Sequence, residues 1–73
     1  MFYTVLEIQE DINNTRACIP TIYNDYNSAL AKLYTILAAA ANSTIPYHSG
    51  HILRSDGIMT DGRVFDRSKL NGD

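Results

Sequence analysis

The segment "NDYNSALAKLYTILAAAANSTIP", Asn24 to Pro46, decides the fold, because here the apolar residues stop alternating and begin to recur every three or four positions. They fall at Tyr26, Ala29, Leu30, Leu33, Ile36, Leu37, Ala40 and Ala41, one stripe along a helix of about four turns. Asn24 or Asp25 supplies the cap, a side-chain oxygen accepting from the amides of the first turn. The alanines at 38 to 41 raise helix propensity and give a slim surface that can lie close to a sheet. "NST" and then Pro46 stop the helix, since the residue before a proline is steered away from helical angles. The stripe predicts that Leu30, Leu33 and Leu37, with Ala40 and Ala41, face a sheet and meet Leu6, Ile8 or their neighbours. Lys32 falls on the far side.

Strand-like runs flank the helix. Phe2 to Gln9, "FYTVLEIQ", and Arg16 to Tyr23, "RACIPTIY", are rich in β-branched and aromatic residues. Between them "EDINNT" is a turn in which Asn13-Asn14 can take positive φ. Pro20 cannot donate to a ladder, which puts the second strand at a sheet edge. After the helix come Ile45 to Arg54 and Ile58 to Asp66. "SDG" splits them, predicting a type I turn over Ser55-Asp56 with Gly57 left-handed.

The order is β-β-α-β-β, an α+β fold. A strand leading through a helix into the next strand makes the two parallel, with room for one strand between them. Placing the first strand there gives a four-stranded antiparallel sheet of order 2-1-3-4 with one helix on one face. The domain spans 1–66, and 67–73 forms a polar tail expected to fray.

Composition narrows the function classes. At 73 residues, 45% of them hydrophobic, the chain is one small domain near the lower limit for a self-sufficient core. Cys18 is the only cysteine, so no disulfide staples the fold. Self-association is the remaining common support. Arg54, Arg63, Arg67 and Lys69 are interspersed with Asp56, Asp61, Asp66 and Asp73, and the net charge is −2. That lacks the basic stripe of a nucleic-acid binder. The opening "MFYTVLEIQED" lacks a positive n-region and is not expected to act as a signal peptide. Leu33 to Pro46 is too short and polar to span a bilayer. The expected location is the cytoplasm, with no membrane partner.

The stretch "PYHSGHILRSDG", Pro46 to Gly57, holds both histidines. Three residues apart on a strand, His48 and His51 point to opposite faces, so one metal ion cannot take both. With the hairpin closed at Ser55-Asp56-Gly57, His51 is expected opposite Asp61, Tyr47 opposite Phe65, and Gly50 opposite Gly62. A His–Asp pair resembles an oriented general base, but it is equally a routine cross-strand contact. No nucleophile elbow accompanies it, and Cys18, inside "ACIP", reads as a small buried hydrophobe. Neither Asp-Gly dipeptide belongs to a calcium loop, and no glycine precedes a helix to cradle a phosphate. Tyr3, Tyr23, Tyr26, Tyr34 and Tyr47 lack the interleaved basic residues of a stacking platform and are expected on the open sheet face or at a subunit contact. No catalytic, cofactor-binding or metal residue is assigned, no cofactor is implied, and the chain reads as a non-enzyme.

The run "YNDYNSALAKLYTILAAAANSTIPYHSGHIL" together with "FYTVLEIQ" resembles a group of short uncharacterised proteins encoded in bacteriophages and prophages of gut bacteria. The matching positions are Thr21, Tyr23, Asp25, Asn27, Ala29, Lys32, Ala38 to Ala41, Pro46 and His48. The departures are Asn24 where that group has an acid, and Leu33-Tyr34 where it has an aromatic and a histidine. The resemblance covers the chain to about Leu53 and implies a phage-related setting without any chemistry.

The expected role is an interaction module, acting by self-association as a homodimer or by docking to a phage or host protein. Its motive is the sheet face left uncovered by the helix, expected to carry Tyr3, Val5, Ile22 and Ile58. The alternative is a small nucleic-acid-associated regulator whose Arg54, Arg63, Arg67 and Lys69 contact phosphates.

Overall fold

A computed structural model describes residues 1–67. Its elements are β1 (Tyr3–Glu10), β2 (Arg16–Tyr23), α1 (Tyr26–Asn42), β3 (Tyr47–Arg54) and β4 (Met59–Asp66). The strands form one antiparallel sheet of order β2-β1-β3-β4, and α1 crosses one face. The expected topology is the one found. Pro20 lies on the edge strand opposite Leu6, the place in a sheet where a residue without an N–H is tolerated.

The turns follow their local chemistry. Asn14 takes φ 62°, and the Asp11 carboxylate accepts from the amides of Asn13 and Thr15 at 2.8 and 3.0 Å. Gly57 takes φ 91°, the left-handed position expected after Ser55-Asp56. Of the two candidate caps Asp25 is the one used, its carboxylate accepting from the Ser28 amide at 2.9 Å.

On α1 the buried residues are Ala29, Leu33, Ile36 and Ala40. Ile36 therefore lies nearer the centre of the stripe than Leu30 and Leu37, which are only partly buried. Ala41, expected against the sheet, is exposed, and Lys32, expected on the far side, is half-buried at the stripe's shoulder. The helix ends under a second restraint. Arg67 Nη2 donates to the carbonyls of Ala40 and Ala41 at 2.8 and 3.1 Å, and its backbone N–H donates to Pro46 at 2.7 Å. Arg67 is thus anchored and does not begin a frayed tail. The rest of that expected tail, 68–73, lies outside the described residues.

The core joins Val5, Ala29, Leu33, Ile36 and Ile52, with Tyr3, Tyr23 and Tyr26 packed around them. Val5 and Ile52 face each other across β1 and β3, so by alternation Tyr3, Val5, Glu7 and Gln9 look toward α1. Leu6 and Ile8 look away. This reverses the expected faces of β1: the helix does not meet Leu6 or Ile8, and Tyr3 and Val5 are not on the open face.

The β3–β4 register also differs from expectation. An irregularity at Ile52/Leu53 sets Ile52 against Asp61 but Leu53 against Met59, which leaves Thr60 as the extra residue of a bulge. Every later pair slips by one. His51 therefore faces Gly62, Gly50 faces Arg63, His48 faces Phe65 and Tyr47 faces Asp66.

Candidate functional site

The two histidines diverge, as their spacing predicts. His48 lies beneath α1, buried, with its Nε2–H donating to Glu7 Oε2 at 2.7 Å. Glu7 Oε2 also accepts from Gln9 Nε2 at 3.0 Å. Glu7 and Gln9 share the helix-facing side of β1, and Gln9 stands opposite His48 on β3. His48 Nε2 and Glu7 Oε2 are thereby paired on the helix side of the sheet, the condition for burying them. His48 Nδ1 is buried with no hydrogen-bond partner. The His48–Glu7 bond ties β3 to β1 across the ladder.

His51 stands on the opposite, uncovered face. Its Nε2 is 3.0 Å from Ser49 Oγ, and its ring lies over Gly62, where an added Cβ would be 2.7 Å from Nδ1. The expected His51–Asp61 pair does not form, because the bulge turns Asp61 to the helix side. There the Tyr26 hydroxyl donates to Asp61 at 2.7 Å, and this bond raises the Tyr26 pKa above its ordinary value. Ser49 is fully buried, so the Ser49–His51 contact does not present a free hydroxyl to a substrate. Among the described residues, no group of three or more His, Cys, Asp or Glu converges where a metal ion could sit.

The arginines are engaged locally. Arg54 grips Asp56, lowering the Asp56 pKa, and Arg16 bonds Glu10. Arg63 and Arg67 both lie over the Phe65 ring, at 5.0 and 5.7 Å. They make no basic stripe. Of the tyrosines expected on the open face or at a subunit contact, Tyr3, Tyr23 and Tyr26 instead pack against the core, Tyr34 is exposed on the helix, and Tyr47 lies on the uncovered face. Cys18 is exposed and not a buried hydrophobe, since β2 is an edge strand and Cys18 shares the alternation of Ile8, its partner across the ladder.

That uncovered face is the feature with the greatest reach. Its four rows, read from β2 to β4, follow from the register. One end is polar: Arg16, Glu10, Tyr47, Asp66. The next row is Cys18, Ile8, Ser49, Val64, and then Pro20, Leu6, His51, Gly62. The far row is Ile22, Thr4, Leu53, Met59. Ile22 is 64% exposed, Met59 53% and Val64 46%, values unlike those of side chains that have found a packing partner. At the polar end a hollow of about 410 Å³ is walled by Glu10, Arg16, Tyr47 and Asp66 from the sheet, with the β1–β2 turn arching over it. Sequence reasoning missed the composition of this face because both parities of β1 carry apolar residues.

No protein-family model, curated protein or solved structure matches the chain. Among the described residues no helix is long and apolar enough to cross a membrane.

Proposed function

We propose that this protein is a non-enzymatic interaction module that works by self-association through the uncovered face of its sheet. The observation that carries this reading is the contiguous apolar area formed by Leu6, Ile8, Ile22, Leu53, Met59 and Val64 on the side that α1 does not cover. A sheet face left to solvent is ordinarily polar, whereas this one exposes Ile22, Met59 and Val64. Four strands ~4.8 Å apart and ~3.4 Å per residue make a face on the order of 500 Å² in projection. Its side-chain relief raises the accessible area toward the ~600–800 Å² per partner of a stable interface. A two-fold dimer is the commonest way to cover such a patch.

The resemblance to phage-encoded proteins gives this module a phage-related setting, and a phage or host protein could occupy the same face in place of a second copy. Light scattering at micromolar concentration tests the reading. A mass of twice 8.2 kDa supports it, and a clean monomer contradicts it. The nucleic-acid alternative has less support: Arg54 is paired with Asp56, Arg67 holds the carbonyls of Ala40 and Ala41, and Arg63 lies over the Phe65 ring, while Lys69 lies outside the described residues.

A further inference from the structure

We infer that the two copies stack sheet on sheet about a two-fold axis running along the strands, so that β2 of each lies over β4 of the other. This rests on the proposed self-association and specifies its geometry. The argument comes from the one charged row. A two-fold axis for face-to-face sheets lies between them, parallel to both. If it runs along the strands, each row stacks on its own copy with the strand order reversed. If it runs across the strands, the rows exchange ends, and Arg16, Glu10, Tyr47 and Asp66 settle on Ile22, Thr4, Leu53 and Met59. That second arrangement buries charge against apolar side chains, which is costly. A diagonal axis lays the charged row along an apolar edge strand, with the same penalty.

The axis along the strands sets the charged row on its own copy and keeps it off the apolar side chains. Arg16 comes over the partner's Asp66, opposite in charge, and Glu10 over the partner's Tyr47, a carboxylate over a hydroxyl donor. Ile22 meets the partner's Met59, the two most exposed side chains of the far row. Val64 comes over the partner's Cys18, both exposed on edge strands, and Leu6 and Pro20 come over the partner's His51, whose ring lies over Gly62. The two sheets keep their strands within about 30° of parallel, as aligned sandwiches do. The hollows at the polar ends then face each other.

The test uses nuclear Overhauser contacts in a 1:1 mixture of isotope-labelled and unlabelled protein. Within one chain β2 and β4 are separated by two strands, a distance of ~14 Å, so any contact between them is between copies. The expected result is cross-peaks linking Ile22 methyls to the Met59 methyl and Cys18 to the Val64 methyls. A dimer that instead links Cys18 to Pro20 and Ile22 to Arg16 of the other copy overturns the axis and leaves self-association standing. A dimer with no cross-peaks from this face overturns the axis and the choice of face. A monomer overturns both the axis and the proposed function.

Discussion

A methyl group on Gly50 would stand 2.8 Å from Leu33 Cδ1 and 3.1 Å from Ile36 Cγ2: α1 rests on the bare backbone of β3. The helix can approach this closely because glycine sits where its two central buried residues land. Gly50→Ala should destabilise the fold, since Leu33 is itself buried and cannot swing clear. The expected loss is about 1 kcal/mol, overpacking partly offset by the stiffer unfolded chain. Chemical denaturation measures it, and an unchanged midpoint would mean that helix and sheet can separate at no cost.

The helix face gives a matched set of variants. Leu33→Ala and Ile36→Ala each remove a buried side chain and should cost ~2–5 kcal/mol, while Ala40→Leu should cost ~1–3 kcal/mol by overfilling. Lys32→Ala, at the shoulder of the stripe, should change little. Thermal melts compare the four, and equal damage from Lys32→Ala would place that side chain in a contact of its own.

The Glu7–His48–Gln9 trio should act as a structural lock. His48→Ala leaves a cavity and removes a donor from a carboxylate beneath the helix. The combined cost should be on the order of 3 kcal/mol. Native-state hydrogen exchange should show faster opening of the β1–β3 ladder beside Glu7 and Gln9, with less change at β4.

Acid should weaken the helix start. The Ser28 amide, and then its hydroxyl, hold the Asp25 carboxyl below its ordinary value of 3.8. A depressed native pKa contributes stability that is present above the unfolded value and is lost as pH falls through the native one. Asp25→Asn keeps an acceptor but cannot titrate, so its melting temperature should fall less than that of the parent between pH 4 and 2. At the alkaline end the sign is reversed. Tyr26, raised above 10.0 by its bond to Asp61, contributes stability below pH 10 that is lost as pH rises through its native pKa. Asp61→Asn should return the Tyr26 phenol toward 10, measured by phenolate absorbance.

Much of the architecture is legible in the residues themselves. The change of period at Tyr26, the Asn and Asp-Gly turns and the edge-marking Pro20 lead to the element order and to the strand order. The faces of β1 are not legible. In "YTVLEIQ" the apolar residues Leu6 and Ile8 look like the buried set, while Glu7 and Gln9 look solvated. The fold turns the polar pair toward the helix, where His48, forty-one positions from Glu7, donates to its carboxylate, and no local pattern announces that partner. The hairpin register escapes for a similar reason. The turn is read correctly, but the bulge at Thr60 arises where Asp61 turns inward to meet Tyr26, a contact thirty-five residues apart. One slipped residue then separates His51 from Asp61 and dissolves the candidate pair.

Sedimentation equilibrium on the parent and on Val64→Lys tests most directly whether the uncovered face joins two copies. Val64 is 46% exposed on that face, on the edge strand β4, so a lysine there disturbs an interface without entering the core. The account predicts twice 8.2 kDa for the parent and a single 8.2 kDa species for the variant, with the same circular dichroism spectrum. A parent that sediments as a monomer, or a Val64→Lys variant that dimerises as tightly as the parent, would contradict it.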